Sequence, residues 1–344
     1  METNSNGHPG SLQAPLRKVV ESSIVPGETS PRKSSRQVEA AARKPEQVID
    51  ISVCIVTFRA RDFLRDCLRS LYENSQPLNL EVIVVDNGSQ DGVGEMLKAE
   101  FPQVRLIEND SNLGYTYPMN QALRAGRGDY LLQLNPDTLI LPGAFEKMVR
   151  FMESHPEAGI LGPKVLNRDG SMQKSCRRGE SRPWAVFTYF IGLAGLFPKS
   201  KRFAEYHMTY MDDDEIHPVA GVSGSCMLIR REVVNQIGYL DELFFAYQED
   251  ADFCFRARQA DWQVYFDPEA QIIHYGGQGG SRVTPYRFIV EWHKSYWNYY
   301  RKSFAKDYFF LFNWLYYMAM FMKFLSAVVI NTVRKEKYAG PRRR

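Results

Sequence analysis

The chain has 344 residues, 44% hydrophobic and 13% aromatic, which is enough apolar material for one large α/β domain with additions at its ends. A net charge of +3, with no RNP, zinc-finger or Gly-Lys-Ser/Thr phosphate-loop pattern, excludes nucleic acid as the main partner. The five cysteines, Cys54, Cys67, Cys176, Cys226 and Cys254, form no CxxC pair, which argues against a disulfide framework or a thiolate zinc site and fits reduced, buried residues.

Residues 1–47 are rich in Ser, Pro, Gly, Lys, Arg and Glu and lack sustained periodicity, so they read as a disordered tail. No apolar stretch follows basic residues there, and the catalytic part is expected to stay in the cytoplasm. An abrupt change follows at Ile49–Thr57, a β-branched apolar run of the kind that forms a buried parallel strand. Leu64, Leu68 and Leu71 recur at helical spacing over 62–71, and Leu80–Asp86 is a second buried strand, so the start reads as a right-handed βαβ unit. Further along, strands are expected at 104–107 and 130–134 with a helix over 118–125 between them. Polar residues crowd the carboxyl ends of these strands, where open α/β sheets bind ligands.

After Asp137 the pattern is mixed: a helix over 143–154, a strand at 159–161, then an irregular stretch to about residue 218. Order returns as a strand within 220–229, helices at 231–237 and 250–260, and a strand at 271–274. The catalytic domain is placed at 48–282. From 283 to 344 the chain is aromatic and basic: Tyr308–Met322 is apolar or aromatic except for Asn313, Lys323 interrupts, and Phe324–Val333 is largely apolar again. A clean span needs about 20 consecutive apolar residues. With basic residues on both sides, a membrane-surface helix or an imperfect hairpin fits better, at the cytoplasmic face of a membrane, with a helix packed on the catalytic domain as the alternative.

Four elements carry chemistry. Asp86-Asn87-Gly88-Ser89 and Asn135-Pro136-Asp137-Thr138 each place a carboxylate just after a buried strand. Either alone fits a turn cap as well, but two at one sheet edge suit a cation or a set of donors. Phe244–Cys254 leads aromatic residues into Glu249, Asp250 and Asp252 at a helix start, where acids are also favoured by the dipole alone. His274 ends a strand and is followed by a glycine-rich loop running to Arg282, which suits a flap over phosphates. Asp212-Asp213-Asp214-Glu215 resembles a metal motif but has no buried strand before it, and reads as a solvated loop. Lys174, Arg177 and Arg178 read as surface residues that could face a phosphorylated lipid.

Taken in order, Val53–Phe58, Glu81–Ser89, Asn109 with Asn112-Leu113-Gly114-Tyr115, Leu134–Thr138, Val222–Cys226 and the Glu249-Asp250 pair resemble family 2 glycosyltransferases, most closely their rhamnosyltransferase-like branch. That resemblance implies an α/β GT-A, Rossmann-like domain with a mixed central sheet. It implies that Thr57, Asp86, Asn112 and Asp137 bind a nucleotide-sugar donor, and that Asp137 and His274 hold Mg²⁺ or Mn²⁺. Asp250 matches the general base, with Glu249, Arg59 and Arg282 in supporting places. The implied activity is inverting transfer of a sugar, rhamnose being the nearest candidate, to a glycan or lipid-linked acceptor in cell-surface polysaccharide synthesis.

Three positions depart from the family pattern: Arg59 stands for Asn, Tyr115–Asn120 replaces a glycine- and alanine-rich stretch, and Asn135 opens the metal motif in place of Asp. A dinucleotide oxidoreductase would need Gly-x-Gly-x-x-Gly after the first strand, where this chain has Thr57–Asp62. A catalytically silent membrane-bound binding protein on the same fold is the alternative.

Overall fold

A computed structural model describes residues 49–277 and 285–333. The expectations for the 1–47 tail, for Gly279–Arg282 and for the basic end at 334–344 lie outside the described residues.

Strand β1 (Ile51–Thr57) is buried along its whole length, and it pairs in parallel with β2 (Leu80–Asp86) so that Thr57 lies opposite Asp86. Helix α1 (Arg61–Glu73) covers them, burying Leu64, Cys67, Leu68 and Leu71 as one apolar stripe. The chain continues through α2 (Val93–Glu100), β3 (Arg105–Glu108), α3 (Thr116–Ala125) and β4 (Tyr130–Leu134). The order β3-β2-β1-β4 is parallel throughout.

The second half turns the sheet mixed. After β5 (Thr138–Ile140) and α4 (Ala144–Ser154) come β6 (Ala158–Leu166) and β7 (Arg177–Arg178). Two short helices, α5 (Pro183–Phe190) and α6 (Leu193–Leu196), then lead to β8 (His217–Pro218), β9 (Gly221–Val222) and β10 (Cys226–Arg230). Helices α7 (Arg231–Ile237) and α8 (Glu249–Gln259) precede β11 (Gln263–His274). Among the described residues the main sheet runs β3-β2-β1-β4-β10-β6-β11-β5, with β8 on β11 and with β10 antiparallel to both of its neighbours.

Several boundaries differ from the pattern-based expectation. The strand expected at 159–161 runs to Leu166, and the one expected at 271–274 is the end of the 12-residue β11. Register shifts between Asp267 and Gln271, around Pro268, hide that strand's period of two. The stretch expected to be irregular contains α5 and α6. The C-terminal region is not broken at Lys323, and its chain reversal falls between two antiparallel helices, at 304–309, not within the apolar run. It is helix α9 (Pro285–Ser303) followed by one continuous helix, α10 (Phe310–Val333).

Candidate active site

The parallel register of β1 and β2 fixes the first part of the site. Thr57 and Asp86 end neighbouring strands, and the Asn87 N–H donates to the Thr57 carbonyl at 2.9 Å. Asp86 Oδ1 accepts the Ser89 N–H at 3.0 Å, and burial raises its pKa above the ordinary carboxylate value. Thr57 Oγ1 is buried without a hydrogen-bond partner, a donor and acceptor facing the strand ends that a ligand would satisfy. Asn87 ties this corner to the next loop, donating through Nδ2 to the Gly114 carbonyl at 2.6 Å and accepting from the Leu113 N–H at 3.1 Å. Asn112 is used inside that loop, where its Oδ1 accepts the Gly114 N–H at 2.9 Å. Gly114 has φ +95, and a Cβ there would come within 2.5 Å of the Phe245 carbonyl, so only glycine lets this loop pass the segment leading into α8. Arg59 is exposed, with φ 53 and its N–H on Ser89 Oγ at 3.0 Å.

The second part forms where β11 pairs with β5, His274 lying opposite Thr138. That pairing sets His274 Nε2 3.2 Å from Asp137 Oδ1, with both side chains largely buried. Gln173 decides how the imidazole is used. Its Nε2 donates to the His274 carbonyl at 2.5 Å and to the Leu166 carbonyl at 3.3 Å, so its Oε1, 3.1 Å from His274 Nδ1, is the acceptor. A ring proton is therefore held on Nδ1, which in the neutral imidazole leaves Nε2, the atom facing Asp137, as the one able to bind a metal ion. Asn135 Nδ2 lies 3.3 Å from the same Nε2, while its Oδ1 accepts the Tyr115 hydroxyl at 3.1 Å. An oxygen and an imidazole nitrogen facing one another fit Mg²⁺ or Mn²⁺, whose remaining ligands would come from a donor diphosphate. Among the described residues no group of three or more His, Cys, Asp or Glu gathers to hold a metal ion.

The third part is the start of α8. Asp250 Oδ2 accepts the Gly224 N–H at 2.9 Å and is ion-paired with Arg178, both side chains 12% exposed. A Cβ on Gly224 would fall 2.3 Å from Gln133 Nε2, so the Gln133 side chain would have to shift to admit one. Glu249 precedes Asp250 as the first residue of α8. Burial pushes its carboxyl up to about 8, the Asp250 charge adding to the rise, and its Oε2 is buried without a hydrogen-bond partner.

Tyr115 joins the second and third parts. Burial, then the Glu249, Asp250 and Asp137 charges, raise its phenol well above the usual value, so the hydroxyl stays protonated and all three acids lie within electrostatic reach of it. The structure thus brings together Thr57 with Asp86, Asp137 with His274, and Glu249 with Asp250, at one edge of the sheet.

Three contributors were not expected here: Tyr115, Gln173 and Arg178. Tyr115 lay in the stretch singled out as departing from the family pattern. Gln173 and Arg178 sit in a segment without periodicity, where nothing local marks them. Arg178 is not a surface residue as expected, and Arg177 is fully buried, its Nη2 donating to Asp213 at 2.5 Å. Asp212–Glu215 are exposed, as the solvated-loop reading anticipated.

Residues 52–238 match the family model described as glycosyl transferase family 2. An N-acetylglucosaminyl-diphospho-decaprenol L-rhamnosyltransferase of Mycobacterium tuberculosis is 29% identical over 269 residues, covering 72% of this chain and 86% of its own. A low-salt glycan biosynthesis hexosyltransferase, Agl10, of Haloferax volcanii is 28% identical over 65% of this chain and 67% of its own. Among solved structures, a mannosyltransferase from Pyrobaculum calidifontis in complex with GDP-Man and Mn²⁺ superposes with a TM-score of 0.52 at 18% identity, covering 76% of this chain and 68% of its own. That likeness is one of fold: the domain has the GT-A architecture with a mixed sheet.

Proposed function

Because the chain belongs to glycosyl transferase family 2, and so moves a sugar from a nucleotide-diphosphate donor to an acceptor, we propose that it does so by metal-assisted inversion onto a lipid-linked acceptor. The single observation that carries this reading is the Asp137–His274 pair at 3.2 Å, with Gln173 holding the ring proton on the far nitrogen. It lies on the same edge as an acid pair reached through Tyr115. The Pyrobaculum enzyme's complex with GDP-Man and Mn²⁺ supports a divalent ion here.

Thr57 and Asp86 hold the nucleotide, and the unpartnered Thr57 hydroxyl gains a hydrogen bond when the donor binds. A divalent ion at Asp137 and His274 would neutralise charge on the leaving diphosphate. Asp250 accepts the proton of the acceptor hydroxyl while that oxygen bonds to the anomeric carbon. The carbon–oxygen bond to the diphosphate breaks, and its electron pair leaves with the phosphate. Glu249, with its raised pKa, carries a proton at neutral pH and so adds no second negative charge beside Asp250. Gly224 and Arg178 fix the orientation of the Asp250 carboxylate.

The mycobacterial relative is named for rhamnosyl transfer to a diphospholipid-linked N-acetylglucosamine. We take L-rhamnose from a dTDP carrier, moved to an acceptor of that chemical class, as the first donor and acceptor to try. The test is transfer from a panel of nucleotide sugars with and without Mn²⁺, followed by NMR of the product's anomeric configuration. Retained configuration, or turnover indifferent to Mn²⁺ and to a chelator, would overturn the inverting, metal-assisted reading.

A further inference from the structure

Helix α10 has two apolar faces. One carries Tyr316, Tyr317 and Phe324 and packs on α9: Tyr317 stacks on Trp297 at 4.2 Å, Tyr316 lies 4.0 Å from Tyr300, and Phe324 lies 5.4 Å from His293. The opposite face recurs every three or four residues and is open, with Leu311, Trp314, Leu315, Met318, Met322 and Leu325 all exposed. At about 1.5 Å per residue the helix is long enough to cross a bilayer, yet its inner face is committed to the protein. Asn313 is tied in as well, donating to the Ala305 carbonyl at 2.9 Å and the Tyr308 carbonyl at 3.1 Å.

Lys323 is the residue that interrupts the apolar run, and it does not need to reach for water. Its ammonium lies 3.9 Å from the Trp292 ring centroid on α9 and 4.4 Å from that of Phe190 on α5, with His293 Nε2 at 3.4 Å. This cage joins α10 to a segment far away in sequence. Helices α5 and α6 carry their own open apolar residues: Trp184, Phe187, Ile191, Leu196 and Phe197. Exposed Lys199, Lys201 and Arg202 follow α6, and exposed Arg301 and Lys306 precede α10. A continuous open apolar surface with a basic fringe matches an anionic bilayer in both solvation and charge.

We propose that α5–α6 and the outer face of α10 form one lipid-contact surface, on which the enzyme lies at the headgroup level without crossing the bilayer. The inference rests on reading α10 as the membrane-associated helix and adds a second contact from the middle of the chain. It has a consequence for the acceptor. Helix α9, which backs this surface, also packs on the start of α8, Ser295 Oγ donating to the Ala246 carbonyl at 2.8 Å, and α5 begins five residues after Arg178. The lipid surface is thereby mechanically joined to the acid pair, and a lipid-linked acceptor need not leave the interface to react.

The test uses the full chain. All five native cysteines are buried, so one introduced at an open position takes an environment-sensitive fluorophore selectively. Leu196→Cys on α6, and Leu311→Cys, Met322→Cys and Val329→Cys along α10, are labelled and mixed with phosphatidylcholine vesicles with and without phosphatidylglycerol. The surface predicts blue-shifted emission at all four sites, stronger with the anionic lipid, and equal quenching depth along α10. A Leu196 site that stays in water while the α10 sites shift overturns the two-element surface. Quenching deepest at Met322 and shallow at both flanking sites overturns the lying geometry in favour of a span. Shifts that depend on protein concentration and not on vesicles overturn it in favour of a second copy of the chain. Ile191→Ser with Leu196→Ser should lower vesicle partitioning by about 10-fold or more while transfer to a soluble acceptor analogue persists. An inactive wild-type enzyme would count against the proposed reaction and leave the labelling result standing.

Discussion

The first half of the domain, residues 51–140, and the second half, residues 173–333, deliver side chains to the same sheet edge by opposite routes. In the first half each functional group stands at a strand end: Thr57 on β1, Asp86 on β2, and Asp137 between β4 and β5. Parallel register sets the spacing of Thr57 and Asp86. In the second half the groups are placed by contacts across long sequence separations: Arg178 to Asp250, Gln173 to His274, and Ser295 to the segment entering α8. The difference has a mechanical meaning. Donor groups on a buried sheet are preorganised, whereas the acceptor side is assembled from loops and helices that also meet the proposed lipid surface, so binding of donor and handling of acceptor should be separable by mutation.

The largest effect expected from that separation is at Asp137. Asp137→Asn removes the anionic half of the metal pair, and donor affinity in Mn²⁺ should fall to its value without metal, as read by calorimetric titration of the nucleotide sugar. Undiminished Mn²⁺-dependent affinity would detach the first half from metal binding.

Asp250→Asn probes the other half, and turnover should fall by about 10²-fold or more while donor affinity stays close to normal. If the same variant also lost donor binding, the two halves would not be separable and the comparison would break.

Gln173→Leu probes the second half's share of the metal pair, because Gln173 orients His274. Loss of the Nδ1 acceptor should weaken Mn²⁺ affinity by about 10-fold, with Gln173→Glu restoring most of it. Equal Mn²⁺ affinity in Gln173→Leu and wild type would reduce Gln173 to a packing residue.

The smallest effect is on stability. The Glu249 carboxyl is raised when folded, so its protonated form is favoured by the fold. That contribution is complete below its ordinary pKa near 4.5 and is lost as pH rises towards about 8. Glu249→Gln should therefore gain stability relative to wild type between pH 5 and pH 8, by at most about 1.4 kcal/mol per pH unit. Parallel thermal-unfolding curves for the two proteins across that range would show that Glu249 titrates normally.

Much of the first half was legible because it repeats a local rule. Runs such as Val82–Val85 and Leu131–Leu134 announce strands buried on both faces, Leu64, Leu68 and Leu71 announce a helix, and a carboxylate after a buried strand has few other places to point. Asp137 and His274 could each be marked as strand-end residues, but their meeting at 3.2 Å required β11 to pair with β5. The bulge around Pro268 concealed most of that strand.

The sequence by itself determined the α/β class, the strands and helix of the opening βαβ unit, and which carboxylates follow buried strands, because these follow from hydrophobic period and strand ends. Only the tertiary structure decided the chemical character of those groups. Arg178 became Asp250's partner and Gln173 fixed the His274 proton. Burial raised the Glu249 pKa, and Lys323 came to rest among aromatic rings instead of breaking a helix. The physical reason is one of range. Period is encoded in neighbours three or four positions apart, while protonation, ion pairing and cation–π capture depend on burial and on partners 30 to 133 positions away, as Lys323 is from His293 and Phe190.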